Sequence, residues 1–463
     1  MRHRRAGALA AGIAGLTLLA TAAPAAAHGL GGRSDLPLPL WLVTYGAAAA
    51  LLASFAALAV LWPRARLEHG VREAVLPPWA QSSARPAEVV VRVLGLVLFV
   101  LVLSAAAFGD PDPALNLAPR AVYVVFWVGL TVVSGLVGNL WAVLSPYDTL
   151  AAVAGRVRSR RRPAPPEPIR RPPYRWGRWP AVAGLAAFAW LELCHPDPAS
   201  PRVIAVALAV YSVAVLAGAA RWGRGWLRQG EAFAAFFGLL SAMAPLHRGG
   251  DGRLRLRPPL AGLARVRPDP GTTALVLVAL GSTTFDGVTR TGLWEDVLGL
   301  RQGWEASLVA TVGLVFVTGL VTLLYVAAMR SAARVVDRPD ATLVHGFAPS
   351  LVPIALAYAV AHYFSLLVFE GQGAWAQLSD PYGEGWDLFG SADRPIDFLV
   401  VSTTTIAVVQ AGSIVVGHLA GVVLAHDRAV ARFKPKLATR SQYPLLAVMV
   451  AYTAGGLFLL LQG

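Results

Sequence analysis

The sequence predicts an all-α, polytopic membrane protein: a bundle of about ten transmembrane helices behind a cleaved signal peptide. Three observations point there. Hydrophobic residues fill 56% of the 463 positions and charged residues only 14%, whereas soluble domains carry about 25% charged residues. Apolar runs of roughly 20 residues, long enough to cross a bilayer core as helix, recur along the chain. The net charge of +14 sits mostly as arginine in short loops between those runs, the bias of cytoplasmic loops. A nucleic-acid protein would instead gather basic and aromatic residues on one soluble face. The expected partner is the lipid bilayer, and nucleic acid is not.

The first element is the leader. "MRHRR" is a basic start, "AGALAAGIAGLTLLA" an apolar core, and "APAAA" places Ala25 and Ala27 at the −3 and −1 positions of a cleavage site, giving a signal peptide over 1–27. Cleavage would expose "HGLGGRSDLPLPLWL" with His28 as the new N-terminus, whose amine and imidazole together can chelate a metal. The prolines of "SDLPLP" keep the segment after it extended.

A single transmembrane domain follows over 28–463, with spans expected near 40–62, 88–109, 121–145, 180–195, 202–220, 272–286, 304–329, 342–369, 396–425 and 442–461. The loop "RVRSRRRPAPPEPIRRPPYRWGR" is cytoplasmic by its arginines, and both ends of the mature chain then face out of the plasma membrane. "EAFAAFFGLLSAMAPL", 231–246, is short and flanked by arginines. Counting it as a crossing would move Arg330, Arg334 and Arg338 outside, so it reads as an interfacial or re-entrant helix. The outer loops are acidic, aromatic and turn-rich, and "GQGAWAQLSDPYGEGWDLFGSADRP" is long enough to fold over a cavity mouth.

Ionisable residues inside spans mark candidate sites, because stranding them in hydrocarbon costs several kcal/mol. They fall in two layers. In the outer layer, "WLELCHPDP" puts Glu192 and His195 three apart on one helix face. "LGSTTFDGVTR" ends an apolar run too short for a full crossing, so the sixth span is expected to break at Asp286-Gly287 beside a cavity. Tyr358, His362 and Ser365 form one stripe of the eighth span, and "STTT", 402–405, lies at a similar depth.

The inner layer holds His345, His418 and "HDR", 426–428. Gly417 and Gly421 make a small-xxx-small face for close helix approach. Pro349 and Pro353 should kink the eighth helix above His345. Packing between helices is the competing reading for each of these residues taken singly.

The lone Cys194 excludes a disulfide framework and any CxxC site, so metal ligands would be His, Asp or Glu. No P-loop, GxSxG or HExxH occurs in the sequence. His345 and His418 would suit the two axial positions of a non-covalent, b-type haem, since no CxxCH is present.

The stretches "HGLGGRSDLPLPLWL", "STTFDG", "VPIALAYAVAHYFSLLVFEGQ" and "GHLAGVVLAHDRA" together resemble a family of polytopic membrane proteins labelled fenitrothion hydrolase. The resemblance implies hydrolysis of an organophosphate triester, a small apolar substrate. Such chemistry needs a hydroxide and a positive charge at the phosphoryl oxygen, which a divalent ion such as zinc would supply. The metal candidates are Glu192, His195, Asp286, His362 and His28, with Asp286, His362 and Glu192 as the acid–base residues. A multi-pass permease or ion-coupled transporter is the alternative, and a haem membrane protein the third reading.

Overall fold

A computed structural model describes residues 39–69, 71–161, 176–338 and 340–462. The leader expected over 1–27, and His28, lie outside the described residues. In chain order the elements are α1 (Leu40–Leu61), β1 (Ala74–Val75), α2 (Pro78–Phe108), α3 (Leu117–Leu136), α4 (Trp141–Leu144) and α5 (Pro146–Arg161). There follow α6 (Trp179–Leu193), α7 (Pro201–Trp222), α8 (Arg224–Gly230), α9 (Ala232–Leu240), β2 (Leu246–Arg248), β3 (Leu254–Leu256), α10 (Ala261–Ala264) and α11 (Pro270–Thr289). The chain ends with α12 (Gly292–Leu298), α13 (Gly303–Val336), α14 (Asp340–Phe347), α15 (Val352–Gln377), α16 (Thr403–Arg432) and α17 (Pro435–Gln462). The middle of α3, Arg120–Gly129, winds as a π-helix.

The protein is an all-α polytopic bundle. Among the described residues nine helical spans are long and apolar enough to cross a membrane, and α6 is a shorter apolar helix of 15 residues. The loops sort into two ends. At one end Asp148 pairs with Arg92 and Arg224, Glu73 with Arg265, and Arg178 with Asp269. At the other, Asp110 N–H donates to the Tyr382 carbonyl, Arg120 pairs with Glu370, and the Tyr123 hydroxyl donates to the Pro198 carbonyl. These are the loops that arginine counting assigns to opposite sides. α6 runs between the two ends, from Arg178 to the 194–200 turn.

Two short apolar segments behave differently from simple spans. α9 is surrounded by protein: Phe126 meets Phe233 edge-on at 4.7 Å, and Trp127 stacks on Phe236 at 5.4 Å. Its neighbours on both sides, α8 and the β2–β3 hairpin, sit at the same end of the bundle, so the chain enters and leaves there. The buried N-terminus is satisfied by Glu231, which accepts from Phe233 N–H, Ala234 N–H, Trp141 Nε1–H and the Tyr211 hydroxyl. A helix can end inside a bilayer-spanning protein only with such partners.

The second difference is α11. It does not break at Asp286-Gly287 but continues to Thr289. It also starts at Pro270, capped by Asp269 on Gly271 N–H and Thr272 N–H, so its 20 residues reach a full crossing length without a break.

α15 and α16 pack closely. A Cβ on Gly417 would strike the Ala357 Cβ, and one on Gly421 would lie 2.8 Å from the Ser350 carbonyl oxygen, so both glycines are needed for this approach. Before α15 the chain leaves α-geometry: Ala348–Leu351 form a 3₁₀ turn, where Pro349 and Pro353 remove backbone donors. A small antiparallel sheet, ordered β1-β3-β2, pairs Ala74 with Leu256 and Leu246 with Leu256. The sequence reading expected no strand.

Candidate functional site

Three side chains from two helices meet in the half of the bundle that holds the second set of loops. Asp286 lies one turn before the end of α11, and His362 and Tyr363 lie in α15; all three are buried. The Tyr363 hydroxyl donates to Asp286 Oδ2 at 2.6 Å. His362 Nε2 is 2.7 Å from the same oxygen, close but outside hydrogen-bond alignment. The attraction there is chiefly charge on charge when the imidazole is protonated.

The ring of Tyr358, one turn earlier in α15, stacks on His362 with centroids 5.9 Å apart. The Tyr358 hydroxyl is buried without a hydrogen-bond partner and lies against the backbone of Gly287, where a Cβ would run into it. Asp286 thus sits among an imidazole and two phenols. Glu192, from α6, is near enough to interact electrostatically with Asp286 and Tyr363, and it makes no hydrogen bond or ion pair among the described residues.

The other candidates are placed elsewhere. α6 ends at Leu193, so the helix face expected to carry both Glu192 and His195 is cut short. His195 turns away: its Nδ1 accepts from Asp197 N–H at 3.1 Å, and its ring stands edge-on to Trp190 and Trp304. Glu192, His195, Asp286 and His362 therefore do not converge, and among the described residues no three His, Cys, Asp or Glu side chains could hold one metal ion. Ser402 is a helix cap, accepting from Thr405 N–H at the start of α16. Ser365 is only partly buried.

The inner layer separates into distinct pieces. His345 Nδ1 lies 3.0 Å from Thr273 Oγ1 near the first turn of α11. His418 is set deeper, its Nδ1 donating to the Ile414 carbonyl at 2.8 Å, while Nε2 has no partner. The His418 side chain lines a largely apolar cavity of about 30 Å³ that His345 does not line. A haem would need a pocket of roughly 300 Å³ or more, so the two histidines do not frame a haem site.

The "HDR" triplet is structural. His426 Nε2 donates to the Trp62 carbonyl, its Nδ1 accepting from Gln442. Asp427 accepts from Trp62 Nε1–H and from the amides of Arg66, Leu67 and Glu68. Arg428 donates to the carbonyls of Gly346, Leu263 and Ala264.

Thr284 lies in the stretch that the sequence reading set beside Asp286, whereas Tyr363 and Tyr452 had no site role there. The Thr284 and Tyr452 hydroxyls bond to each other two residues before Asp286 along α11. Against protein-family models, curated proteins and solved structures, the chain finds no match.

Proposed function

We propose that the protein works in the plasma membrane as an ion-coupled permease, with the Asp286–His362–Tyr363 cluster as its proton-binding centre. The supporting observation is the 2.7 Å contact between a buried carboxylate and a buried imidazole inside a bundle of membrane-length helices. A lone carboxylate there would be costly, and intramembrane Asp–His pairs suit proton relays. The cluster holds its proton as imidazolium beside the Asp286 carboxylate, and on releasing it leaves neutral imidazole beside that carboxylate. Tyr363 stabilises the carboxylate form by donating to Oδ2. Arginine counting orients the termini outward.

The test is proton uptake into proteoliposomes driven by a membrane potential. Wild type takes up protons and Asp286→Asn does not. Wild-type uptake no faster than that of empty vesicles overturns the reading.

Hydrolysis of an organophosphate triester is the second reading. The sequence resemblance favours it, and so does the same contact, because His362 held by Asp286 has the makings of a general base. A triester pocket of roughly 300 Å³ is needed, and neither of two apolar cavities among the described residues, about 30 and 10 Å³, is of that size. Triester turnover by purified wild type that His362→Ala abolishes would establish this reading, and equal turnover by both would reject it.

A further inference from the structure

Two buried polar atoms without partners lie on either side of one hydrogen-bonded pair. Above is the Tyr358 hydroxyl, against Gly287. Below is His418 Nε2. Between them the Thr284 and Tyr452 hydroxyls are bonded, with the Tyr452 hydroxyl also 3.4 Å from the Leu280 carbonyl. Tyr358 is near enough to Tyr452 to interact electrostatically, and its ring packs over Gly456, one turn from Tyr452 on the same face of α17.

Tyr452 and His418 have ring centroids 6.0 Å apart and line one cavity together with Leu277, Leu280, Tyr325 and Met449. Its volume, about 30 Å³, exceeds the roughly 10–15 Å³ that one water needs, and in a largely apolar lining His418, Tyr325 and Tyr452 are the residues that carry polar groups for it. His418 lines this space and its buried Nε2 lacks a partner, and a bare polar atom in a dry interior costs about 1–3 kcal/mol.

We propose that Tyr358, the Thr284–Tyr452 pair, His418 and water in the adjoining cavity form an internal proton path leading inward from Asp286–His362. This rests on the reading of that cluster as a proton-binding centre. The positions descend along α11 from Asp286 to Leu277, nine residues or about 13 Å at 1.5 Å per residue, so hydroxyls and one or two waters bridge the interval. Each hydroxyl accepts a proton on a lone pair and releases its own.

His418 differs, because Nδ1–H is committed to the Ile414 carbonyl. The proton therefore enters and leaves at Nε2, with imidazolium as the carrier between two cavity waters. No atom other than the proton changes partner.

The test uses the same proteoliposomes with Tyr358→Phe, Tyr452→Phe, His418→Phe and His418→Gln, each first checked for a monodisperse, folded protein. The path predicts that the three first variants slow uptake at least tenfold, and that His418→Gln, which keeps a polar group but cannot carry a proton, does the same. If Asp286→Asn abolishes uptake while all four variants match wild type, the path is overturned and the proton-binding centre stands. If wild type itself takes up no protons, the centre and the path fall together. ¹⁵N NMR of the His418 ring supplies a second readout: an Nε2 resonance shifted by hydrogen-bonding water supports the path, and a bare, dry Nε2 overturns it.

Discussion

At the scale of single residues, the protein's most informative atom is Asp286 Oδ2, which receives two partners from adjacent positions of one helix. His362 and Tyr363 are about 100° apart around α15, so both reach one oxygen only because α11 passes between their directions. Removing the phenol leaves a buried carboxylate with a single misaligned partner. Tyr363→Phe is therefore expected to destabilise the protein by about 1–3 kcal/mol, the usual cost of a lost hydrogen bond to a charged group. Thermal unfolding in detergent measures it, and an unchanged midpoint would mean that the hydroxyl is replaced by water. Asp286 and His362 were legible in the sequence because charge and imidazole stand out in an apolar run. Tyr363 was not, since a tyrosine there reads as packing until the neighbouring helix is placed. Glu192 and His195 show the opposite failure. Their spacing fits one helix face, but α6 stops between them.

At the scale of elements, the β1–β3–β2 sheet is held to the bundle by Glu73. Its carboxylate pairs with Arg265 and His247, and the Arg255 guanidinium lies 3.7 Å away. Burial opposes ionisation of Glu73, yet the Arg265 hydrogen bond and the nearby positive charges outweigh it and hold the carboxyl below its ordinary range. A depressed folded value means that this tether is fully present above about pH 4.3, the unfolded glutamate value. It is lost as the pH falls through the lower folded value. Amide hydrogen exchange over 246–256, corrected for intrinsic rates, is expected to rise in wild type only as the pH falls below about 4.3. Glu73→Gln should show the faster exchange already at pH 6. The strands themselves escaped the sequence reading because three residues are too few to display a period of two. The kink before α15 and the glycine face of α16 were legible, because proline and glycine act through the backbone and need no knowledge of neighbours.

For the whole molecule, the arrangement of loops into two ends agrees with an odd number of crossings between residues 253 and 393. In a Cys194→Ala background, Arg253→Cys and Asp393→Cys should therefore label from opposite sides of the membrane. A membrane-impermeant maleimide added to intact cells is expected to modify Asp393→Cys alone, and equal labelling of both would overturn the topology. The class of fold was readable because bilayer thickness imposes a length on every span. The re-entrant path of α9 was only half readable, because its burial depends on Glu231 finding Trp141 and Tyr211.

The triplet 426–428 has a bearing on how the chain is made. Asp427 holds the amides of Arg66, Leu67 and Glu68, and 361 residues of chain separate Asp427 from Arg66. Arg428 holds the carbonyls at the end of α10 and at Gly346. Both ties become available only when α16 has left the ribosome. Until then the turn behind the first crossing has no anchor, and the early helices must wait in the translocon's surroundings, membrane-inserted but not yet closed. A nascent chain stopped short of residues 427 and 428 therefore lacks both of these ties at that end.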